Sequence, residues 1–519
     1  MTMSMETRQT NKWIVALTVM LPTFIEIMDI SVVNVSLPHI QGSLSAGLDE
    51  VTWILTSYLV SNAIIIPISG WLAGIFGRKR YLIFSLILFT ASSVLCGSAF
   101  SLAVIIGARI FQGIGGGGLQ PISQAILLES FPPEERGLAM AFFGMGVVLA
   151  PIVGPVLGGW LTDTWSWRWV FYINLPAGIL AIALVFLFVQ DPDYIRRRHV
   201  KIDGWGLFFL TVGLGCLQIV LDKGQRNDWF SSNFIVTFSL ISGAALILFL
   251  ATELRSSHPV VNLRIFKDRS FAIGNLIMFT GFFCLFGSIV LLPLYLQNLM
   301  GYTAFWAGLV LGPGGIAAFL IMPLAGLMMK KNVSPRMLLA IGLFVSAASL
   351  YLMSGFNLDA SFGAIALPRI IQGFGLGLFF VPLSAATFAG IRNEETGNAS
   401  GIFNLLRNLG GSFGVAFCTT VLARRTQLHQ TFLAEHITPY NPSFQHYYHQ
   451  IQQWLQIHQP QFAGPSAALG EIYRLVLRQA HMMAFNDTFW MLALATAALV
   501  LLTIFFRQRQ DTAPGAGIH

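Results

Sequence analysis

The sequence predicts an all-α integral membrane protein with fourteen transmembrane helices, on three observations. Of the 519 residues, 55 % are hydrophobic and only 10 % are charged, whereas a soluble domain carries about 25 % charged residues. Fourteen apolar runs are long enough to cross a bilayer, which takes about 20 residues. One motif also recurs in two of these runs in the same direction. A chain of this kind has lipid as its main solvent.

The apolar runs follow one another along the whole chain. They lie at 13–35, 50–75, 81–100, 103–127, 138–160, 170–190, 204–222, 230–252, 271–297, 303–329, 336–356, 363–389, 397–423 and 486–507. The first run is too long for the apolar segment of a secretory signal peptide, and no small-residue cleavage site follows it. It is therefore expected to be the first membrane helix.

The basic residues indicate the orientation. With the N-terminus in the cytoplasm, 20 of the 30 Lys and Arg residues fall in cytoplasmic segments and seven in outer segments. Three lie inside runs, at Arg109, Arg369 and Arg407. Because cytoplasmic loops carry such an excess, both termini are expected in the cytoplasm. The same distribution explains the net charge of +7 without a nucleic-acid partner.

A polar segment at 424–485 separates the last two runs and is far longer than the other connections. It holds six of the ten histidines, and His446 and His449 have the spacing of neighbours on one helix face. A metal site there is the alternative, but the composition favours a solvated outer loop with short amphipathic helices, and no metal site is predicted. The four cysteines lie in apolar runs without a C-x-x-C pair, which indicates neither zinc nor a disulfide framework.

The recurring motif indicates an internal repeat. The segment RIFQGIG at 109–115 returns 260 residues later as RIIQGFG at 369–375, and each copy precedes a Gly-rich stretch and a proline. Two related halves are typical of transporters built from parallel repeats. We therefore divide the chain into a six-helix bundle at 1–195, two extra helices at 196–262, and a second six-helix bundle at 263–519 that includes the outer loop.

Two acidic residues in the first run point to proton chemistry. Glu26 and Asp29 are three residues apart and share a helix face, although a charge at the bilayer centre costs roughly 2.5–3.5 kcal/mol. Removal from water favours the protonated form of a carboxyl group, so either could carry a proton.

Asp29 and Arg109 both lie about 9–10 Å below the outer surface at 1.5 Å per residue. We expect them to pair in one conformational state and to separate on protonation. A permanent structural ion pair is the alternative. Glu26 is expected to meet a cationic substrate or water.

Two glycine-containing motifs are candidate conformational elements. Between the second and third runs, glycines permit a tight turn and basic residues anchor it, at Gly70, Gly77, Arg78 and Arg80. The alternative is a topological anchor with no further role. The fifth run is rich in Gly and Pro, which makes a helix pliable, at Gly154, Pro155, Gly158 and Gly159. Its alternative is a simple helix contact through Gly154 and Gly158.

Polar residues inside the runs are candidates for lining a substrate cavity. They are Asn34, Gln112 and Gln124, and interhelical hydrogen bonds are the equally plain alternative for each. The stretch 113–118 matches G-x-G-x-x-G, but it follows no strand and lies in a membrane run, so no dinucleotide cofactor is expected. No Walker, H-E-x-x-H or G-x-S-x-G motif occurs, which argues against an enzyme.

At these motifs the chain resembles the major facilitator superfamily. The loop at 70–80 resembles the signature between its second and third helices, and Arg109, Gln112 and Gly113 resemble the helix-four motif linked to proton coupling. The Gly-Pro motif of the fifth run resembles the antiporter motif of exporters. The segments 28–38 and 167–176 are similar to signatures of the fourteen-helix drug/proton antiporters of the EmrB/QacA type.

The resemblance implies a major facilitator fold with two six-helix bundles and two extra central helices. It implies proton-coupled antiport of lipophilic, often cationic drugs across the inner membrane by alternating access. It also implies a periplasmic adaptor and an outer-membrane channel as partners. An exporter of one metabolite, such as a siderophore or sugar, is the alternative on this fold, and a receptor or a membrane enzyme are the others. The family usually has an acid where Gly74 stands and a Gly where Ala150 stands, so a charge contact between the halves is in doubt.

Overall fold

The structure is a computed structural model that describes residues 11–191, 203–256, 258–458 and 464–506. The expected boundary between the first bundle and the extra helices, at 195–196, lies outside these residues. Both chain termini, whose cytoplasmic location the charge distribution predicts, also lie outside them.

Fifteen long helices make up the described chain. They are α1 Lys12–Ser43, α2 Trp53–Phe76, α3 Arg78–Gly97, α4 Leu102–Gly116 continued by Leu119–Ser130, α5 Arg136–Thr164, α6 Asn174–Phe188, α7 Gly204–Lys223, α8 Asn233–Arg255, α9 Arg269–Asn298, α10 Ala304–Lys330, α11 Pro335–Met353, α12 Phe362–Phe388, α13 Thr396–Ala434, α14 Pro442–His458 and α15 Pro465–Leu502. All but α14 belong to fourteen segments long and apolar enough to cross a membrane. The prediction of an all-α protein with fourteen transmembrane helices is thus confirmed.

The structure differs from the predicted spans around the polar segment at 424–485. Helix α13 continues without a break to Ala434, and α15 begins at Pro465, well before the predicted start at 486. Between them, α14 packs Ile451 and Leu455 against Ile472 of α15. Most of the expected loop is therefore helical and extends the last two membrane helices past the bundle.

The same helix pairs pack together in the first and second halves of the chain. In the first half, α1 packs along α5, and α4 packs between α2 and α3. In the second half, α9 packs along α13, and α12 packs between α10 and α11. The halves meet along two seams, one between α5 and α10 and one between α2 and α13. The extra hairpin α7–α8 lies at the second seam.

Contacts of the extra hairpin join both halves. Thr56 of α2 donates a hydrogen bond to Asp222 at the end of α7. On the other side, Gln218 Nε2 donates to Ser412 Oγ of α13 at 3.1 Å. Trp229, just after α7, donates to Thr420 Oγ1 at 2.8 Å. The hairpin therefore fills the seam between α2 and α13 at the end of the bundle where α7 ends.

We call the two ends of the bundle the basic end, where Arg78, Arg136 and Lys330 lie, and the far end. At the basic end the halves are in direct contact. A Cβ atom on Gly70 of α2 would lie 2.4 Å from the backbone carbonyl of Gly397 in α13. Only glycine permits this approach, and the basic end is consequently closed.

Candidate proton-coupling and substrate site

Asp29 lies at the centre of a buried hydrogen-bond cluster in the first half. Its side chain and that of Arg109 are both fully buried. Arg109 Nη1 donates to Asp29 Oδ2 at 2.6 Å. Gln112 Nε2 and Asn174 Nδ2 donate to Asp29 Oδ1 at 3.0 Å and 2.7 Å. Helices α4 and α6 thus supply three donors to one carboxylate, which is the arrangement that a buried charge requires.

Arg109 is held as firmly as the carboxylate. Its Nε donates to the carbonyl of Ile54 at 3.1 Å, and its Nη1 also donates to Gln112 Oε1 at 2.8 Å. The ring of Tyr58 lies 4.1 Å from the guanidinium carbon, a cation–π contact. Its Nη2 is buried and has no hydrogen-bond partner among the described residues. A change at Asp29 therefore acts directly on a buried cation.

Glycines of α5 set the position of the helix that carries Asp29. A Cβ on Gly154 would lie 2.5 Å from the Cβ of Ser31, and one on Gly158 would lie 2.9 Å from the carbonyl of Val32. The other two residues of the motif are not in this contact, since Pro155 is exposed and a Cβ on Gly159 would meet nothing within 4 Å. The small-residue contact between α1 and α5 is therefore present, and the predicted conformational role of the motif stays a prediction.

Glu26, one turn before Asp29, belongs to a second buried network. Tyr58 Oη and Asn62 Nδ2 donate to its Oε1 at 3.2 Å and 3.1 Å. Gln120 donates to its other oxygen and accepts a hydrogen bond from Arg407 of α13. In this conformation Glu26 is enclosed rather than open to water, and its network reaches across to the second half.

The three candidate lining residues occupy different surroundings. Gln112 is a member of the Asp29 cluster. Gln124 Oε1 accepts from Ser400 Oγ at 2.9 Å and from Asn404 Nδ2 at 2.6 Å, so it joins α4 to α13. Asn34 is exposed and stands apart from both networks. In this conformation Gln112 and Gln124 make interhelical hydrogen bonds, and the side chain of Asn34 is exposed.

The basic turn between α2 and α3 is built as its motif predicts. Gly77 has φ 88°, and a Cβ there would lie 2.6 Å from a carboxylate oxygen of Asp191. Arg78 pairs with Glu129 and donates to the carbonyl of Asn393 in the second half at 3.5 Å. Arg80 is exposed. Two residues of the motif, Gly70 and Arg78, thus contact the second half across the seam.

A charge contact between the halves exists although Gly74 replaces the usual acid. Gly74 is exposed, and a Cβ on it would meet nothing within 4 Å. Glu135, just before α5, instead pairs with Lys12 of α1 and with Lys330 Nζ of α10, the latter at 3.0 Å. The doubt raised by the sequence is therefore resolved, because another acid joins the two halves at the basic end.

Sequence reasoning missed several residues of these networks, namely Tyr58, Asn62, Gln120, Asn174, Arg407 and Glu135. Asn174 stands in the 167–176 segment whose resemblance the sequence analysis noted, and Arg407 was noted as a charge inside a run. Either could have been suspected on those grounds. The others are ordinary polar residues of helices and turns, and only the packing of the helices brings them to Glu26 or to the seam.

Sequence and structure comparisons show which known proteins are similar to this chain. The sequence model described as Major Facilitator Superfamily matches residues 19–415. The multidrug export protein EmrB of Haemophilus influenzae is 38 % identical, over 95 % of this chain and 95 % of its own length. The multidrug export protein EmrB of Escherichia coli K12 is 37 % identical, over 97 % and 96 %. The human organic anion transporter MFSD10 has a similar structure, with a TM-score of 0.59 at 14 % identity, covering 93 % of this chain and 99 % of its own.

Proposed function

Since the chain belongs to the major facilitator superfamily and is a multidrug exporter of the EmrB type, we propose that it exports drugs in exchange for protons and that Asp29 carries the proton. The observation that carries this proposal is the fully buried Asp29–Arg109 pair with its two further donors. Protonation removes the charge of the carboxylate and leaves a buried guanidinium without its counter-ion. Breaking a buried pair in this way costs roughly 3–5 kcal/mol, enough to favour a different arrangement of the helices.

The transport cycle follows from which end of the bundle is closed. The basic end faces the cytoplasm, because cytoplasmic loops are rich in Lys and Arg, and both termini lie there. The conformation described is closed at that end, so protons reach Asp29 from the far end. Protonation then loosens the contacts between the halves, and rocking of the two halves opens the basic end to substrate. A membrane potential of 100 mV adds about 2.3 kcal/mol per net charge that moves inwards.

Substrates are lipophilic and often cationic small molecules. Glu26 supplies a carboxylate near the middle of the bundle, within a network that includes Arg407 of the second half. A cationic substrate can replace the donors of Glu26 once the halves separate, and apolar helix faces accept its rings. Asn34, whose side chain is exposed, contacts substrate on its way to the far end.

The protein works in the inner membrane with partners at the far end. Helices α13, α14 and α15 extend the bundle there, and Tyr440 is 92 % exposed. This extension provides the surface for the periplasmic adaptor, which leads substrate to an outer-membrane channel. A single cysteine at Tyr440 should react with a membrane-impermeant maleimide from the periplasm. Reaction only after the inner membrane is opened would contradict the orientation.

The experiment that tests proton coupling is efflux of ethidium from cells that produce the wild type or Asp29→Asn. The wild type should export ethidium until a protonophore is added, whereas Asp29→Asn should not export it. Asp163→Asn is the matched control, since this carboxylate on α5 is 74 % exposed and outside the cluster. If Asp29→Asn exports as well as the wild type, Asp29 does not carry the proton. If the wild type moves no dye, an exporter of one metabolite becomes the better account.

A further inference from the structure

Three helices of the second half enclose a cavity at the far end of the bundle. The cavity has a volume of about 730 Å³ and lies between the end of α9, the outer part of α13 and the early part of α15. Pockets of this volume hold small ligands. The residues that line it lie outside the Asp29 and Glu26 networks, so the proposed proton exchange does not use this cavity.

The cavity lies at the level where all three helices leave the apolar part of the membrane. The predicted apolar run of α9 ends just before Asn298, and that of α13 ends three residues before Thr426. The run of α15 begins just after Phe485. All three of these residues line the cavity. The cavity is therefore at the depth of the lipid headgroups, which form a layer of about 5–7 Å on each side of the hydrocarbon.

Helix α15 presents a basic face to the cavity. Arg474, Arg478 and His481 line it, and their spacing of four and three residues places them on one side of the helix. Arg474 pairs with Glu471 of the preceding turn. Arg478 forms no ion pair within the described part of the chain, and its Nη2 donates to the carbonyl of Leu299 in α9 at 3.0 Å. This hydrogen bond holds a guanidinium without a counter-ion at the membrane surface.

A hydroxyl on the opposite wall has no partner. Thr426 of α13 is 7 % exposed and lines the cavity, and its Oγ1 is buried without a hydrogen-bond partner among the described residues. Thr419 and Thr420, on the same helix, each donate to carbonyls of the preceding turn. A buried hydroxyl without a partner is unfavourable. Because a hydroxyl rotates between staggered positions about the Cα–Cβ bond, Thr426 can donate to a ligand that enters the cavity.

The remaining walls of the cavity are largely apolar. Leu422 of α13 and Leu475 and Phe485 of α15 line it. A free phosphate ion gains nothing from such walls, whereas the glycerol ester and the first acyl carbons of a phospholipid remove apolar surface from water against them. The cavity thus matches an amphiphile whose anionic group lies at the membrane surface.

We propose that this cavity binds the phosphate group of an anionic phospholipid from the leaflet at the far end. The phosphate accepts hydrogen bonds from Arg478 and Thr426, and hydrogen bonds from a guanidinium to phosphate are among the strong ones. Basic pockets between membrane helices bind anionic headgroups by the same attraction of charges. The inference goes beyond the proposed export function, because it assigns a lipid to α9, α13 and α15 and requires no transport.

The test measures the melting temperature of the purified full chain in detergent as dioleoylphosphatidylglycerol is added. The lipid should raise the melting temperature of the wild type. In Arg478→Gln the lipid concentration for half of the rise should increase roughly tenfold or more, the usual effect of losing a hydrogen bond to a charged group. Each variant is compared with itself without lipid, so a lower stability of Arg478→Gln does not affect the result.

Arg424→Gln is the matched control for charge. Arg424 is exposed on α13 at the same level, and it does not line the cavity. Its half-rise concentration should stay within about twofold of the wild type. An equal response of the wild type and Arg478→Gln, or an equal loss in Arg424→Gln, would overturn the proposal.

Thr426→Val is a second variant that keeps the shape of the side chain. It removes a buried hydroxyl that has no partner, so the melting temperature without lipid should stay the same or rise. The half-rise concentration should nevertheless increase roughly threefold, because one hydrogen bond to the phosphate is lost. A purely structural role of Thr426 would leave that concentration unchanged and would contradict its contact with the lipid.

Other ligands distinguish the lipid from other sources of negative charge. Dioleoylphosphatidylcholine, whose headgroup has no net charge, should raise the melting temperature less, and an equal rise would overturn selection of an anionic lipid. Glycerol 3-phosphate at the same concentration should have no effect. An equal effect would assign the cavity to a soluble phosphate ester instead of a lipid. If a hexaglutamate peptide binds through Arg478 and the lipid does not, an acidic protein partner occupies the cavity and the proposal is wrong. None of these measurements uses transport, so a failure of ethidium export leaves their outcome unchanged.

Discussion

The two halves of the molecule place the same residues in the same motif but differ in charge. In the first half, Arg109 meets a buried carboxylate, and its glutamine and an asparagine complete that carboxylate's hydrogen bonds. In the second half, Arg369 donates to Gln372, and Gln372 donates to Ser288 instead of to an acid. The two halves share the same helix packing, but the glutamine of the motif donates to the carboxylate of Asp29 in one half and to the hydroxyl of Ser288 in the other. Under the proposed mechanism, this difference places the proton site in the first half.

The largest expected difference between the halves is the loss of stability when each arginine is removed in turn. Arg109→Gln should lower the free energy of unfolding by roughly 3–5 kcal/mol, because it leaves Asp29 charged and buried without a cation. It should also abolish ethidium export. Arg369→Gln leaves no acid behind and should change the free energy of unfolding by less than about 1 kcal/mol. Thermal unfolding of the two purified variants measures this difference, and equal destabilisation would contradict the asymmetry between the halves.

A smaller effect, on export alone, is expected from removing Asn174 in the first half. Asn174→Ala removes one of the donors to Asp29 and should weaken export by roughly tenfold, since hydrogen bonds to charged groups contribute about 1.5–3 kcal/mol. The matched control is Asn275→Ala in α9, whose amide donates to the carbonyl of Phe271 in its own helix. An equal loss of export in both variants would show that Asn174 does not act through Asp29.

The smallest expected effect concerns Glu135 and its counterpart Glu395, 260 residues later. Glu135 joins both halves through Lys330, whereas Glu395 pairs with Arg392 of its own turn, at 3.9 Å. Glu135→Gln should favour opening of the basic end, and a cysteine at Met329, which packs on Gly137, should react with maleimide roughly two- to fivefold faster. Glu395→Gln should leave this rate unchanged. Equal rates in both variants would show that the Glu135 contact does not hold the halves together.

The fold could be predicted from the sequence because lipid imposes a simple rule, that a helix of about 20 apolar residues crosses the bilayer. The rule has no force in the polar segment at 424–485, where a helix such as α14 was expected but the predicted ends of the two flanking helices were wrong. Residues 424–434 continue α13, and 465–485 begin α15, because helices need no apolar run once water and α14 surround them. Their polar composition was therefore taken for a loop.

The contacts of the candidate site could be predicted only for residues that lie at the same depth in the membrane on two helices. Asp29 and Arg109 could be matched because each lies about 9–10 Å from the outer end of its predicted apolar run at 1.5 Å per residue, although α1 itself continues to Ser43. Gln120 and Arg407 reach Glu26 through the rotation of α4 and α13 about their own axes, which hydropathy does not encode. The match between Ser288 and Asp29 was also hidden, since the sequence around Asp29 is not repeated in α9.

The most direct test of proton exchange through Asp29 is proton movement itself. Purified protein in liposomes with an internal pH-sensitive dye is given an ethidium gradient, and proton flux is recorded for the wild type, Asp29→Asn and the control Asp163→Asn. The wild type and the control should move protons against the direction of ethidium, and Asp29→Asn should move none. If Asp29→Asn moves as many protons per ethidium as the wild type, the proton passes elsewhere and the central claim is contradicted.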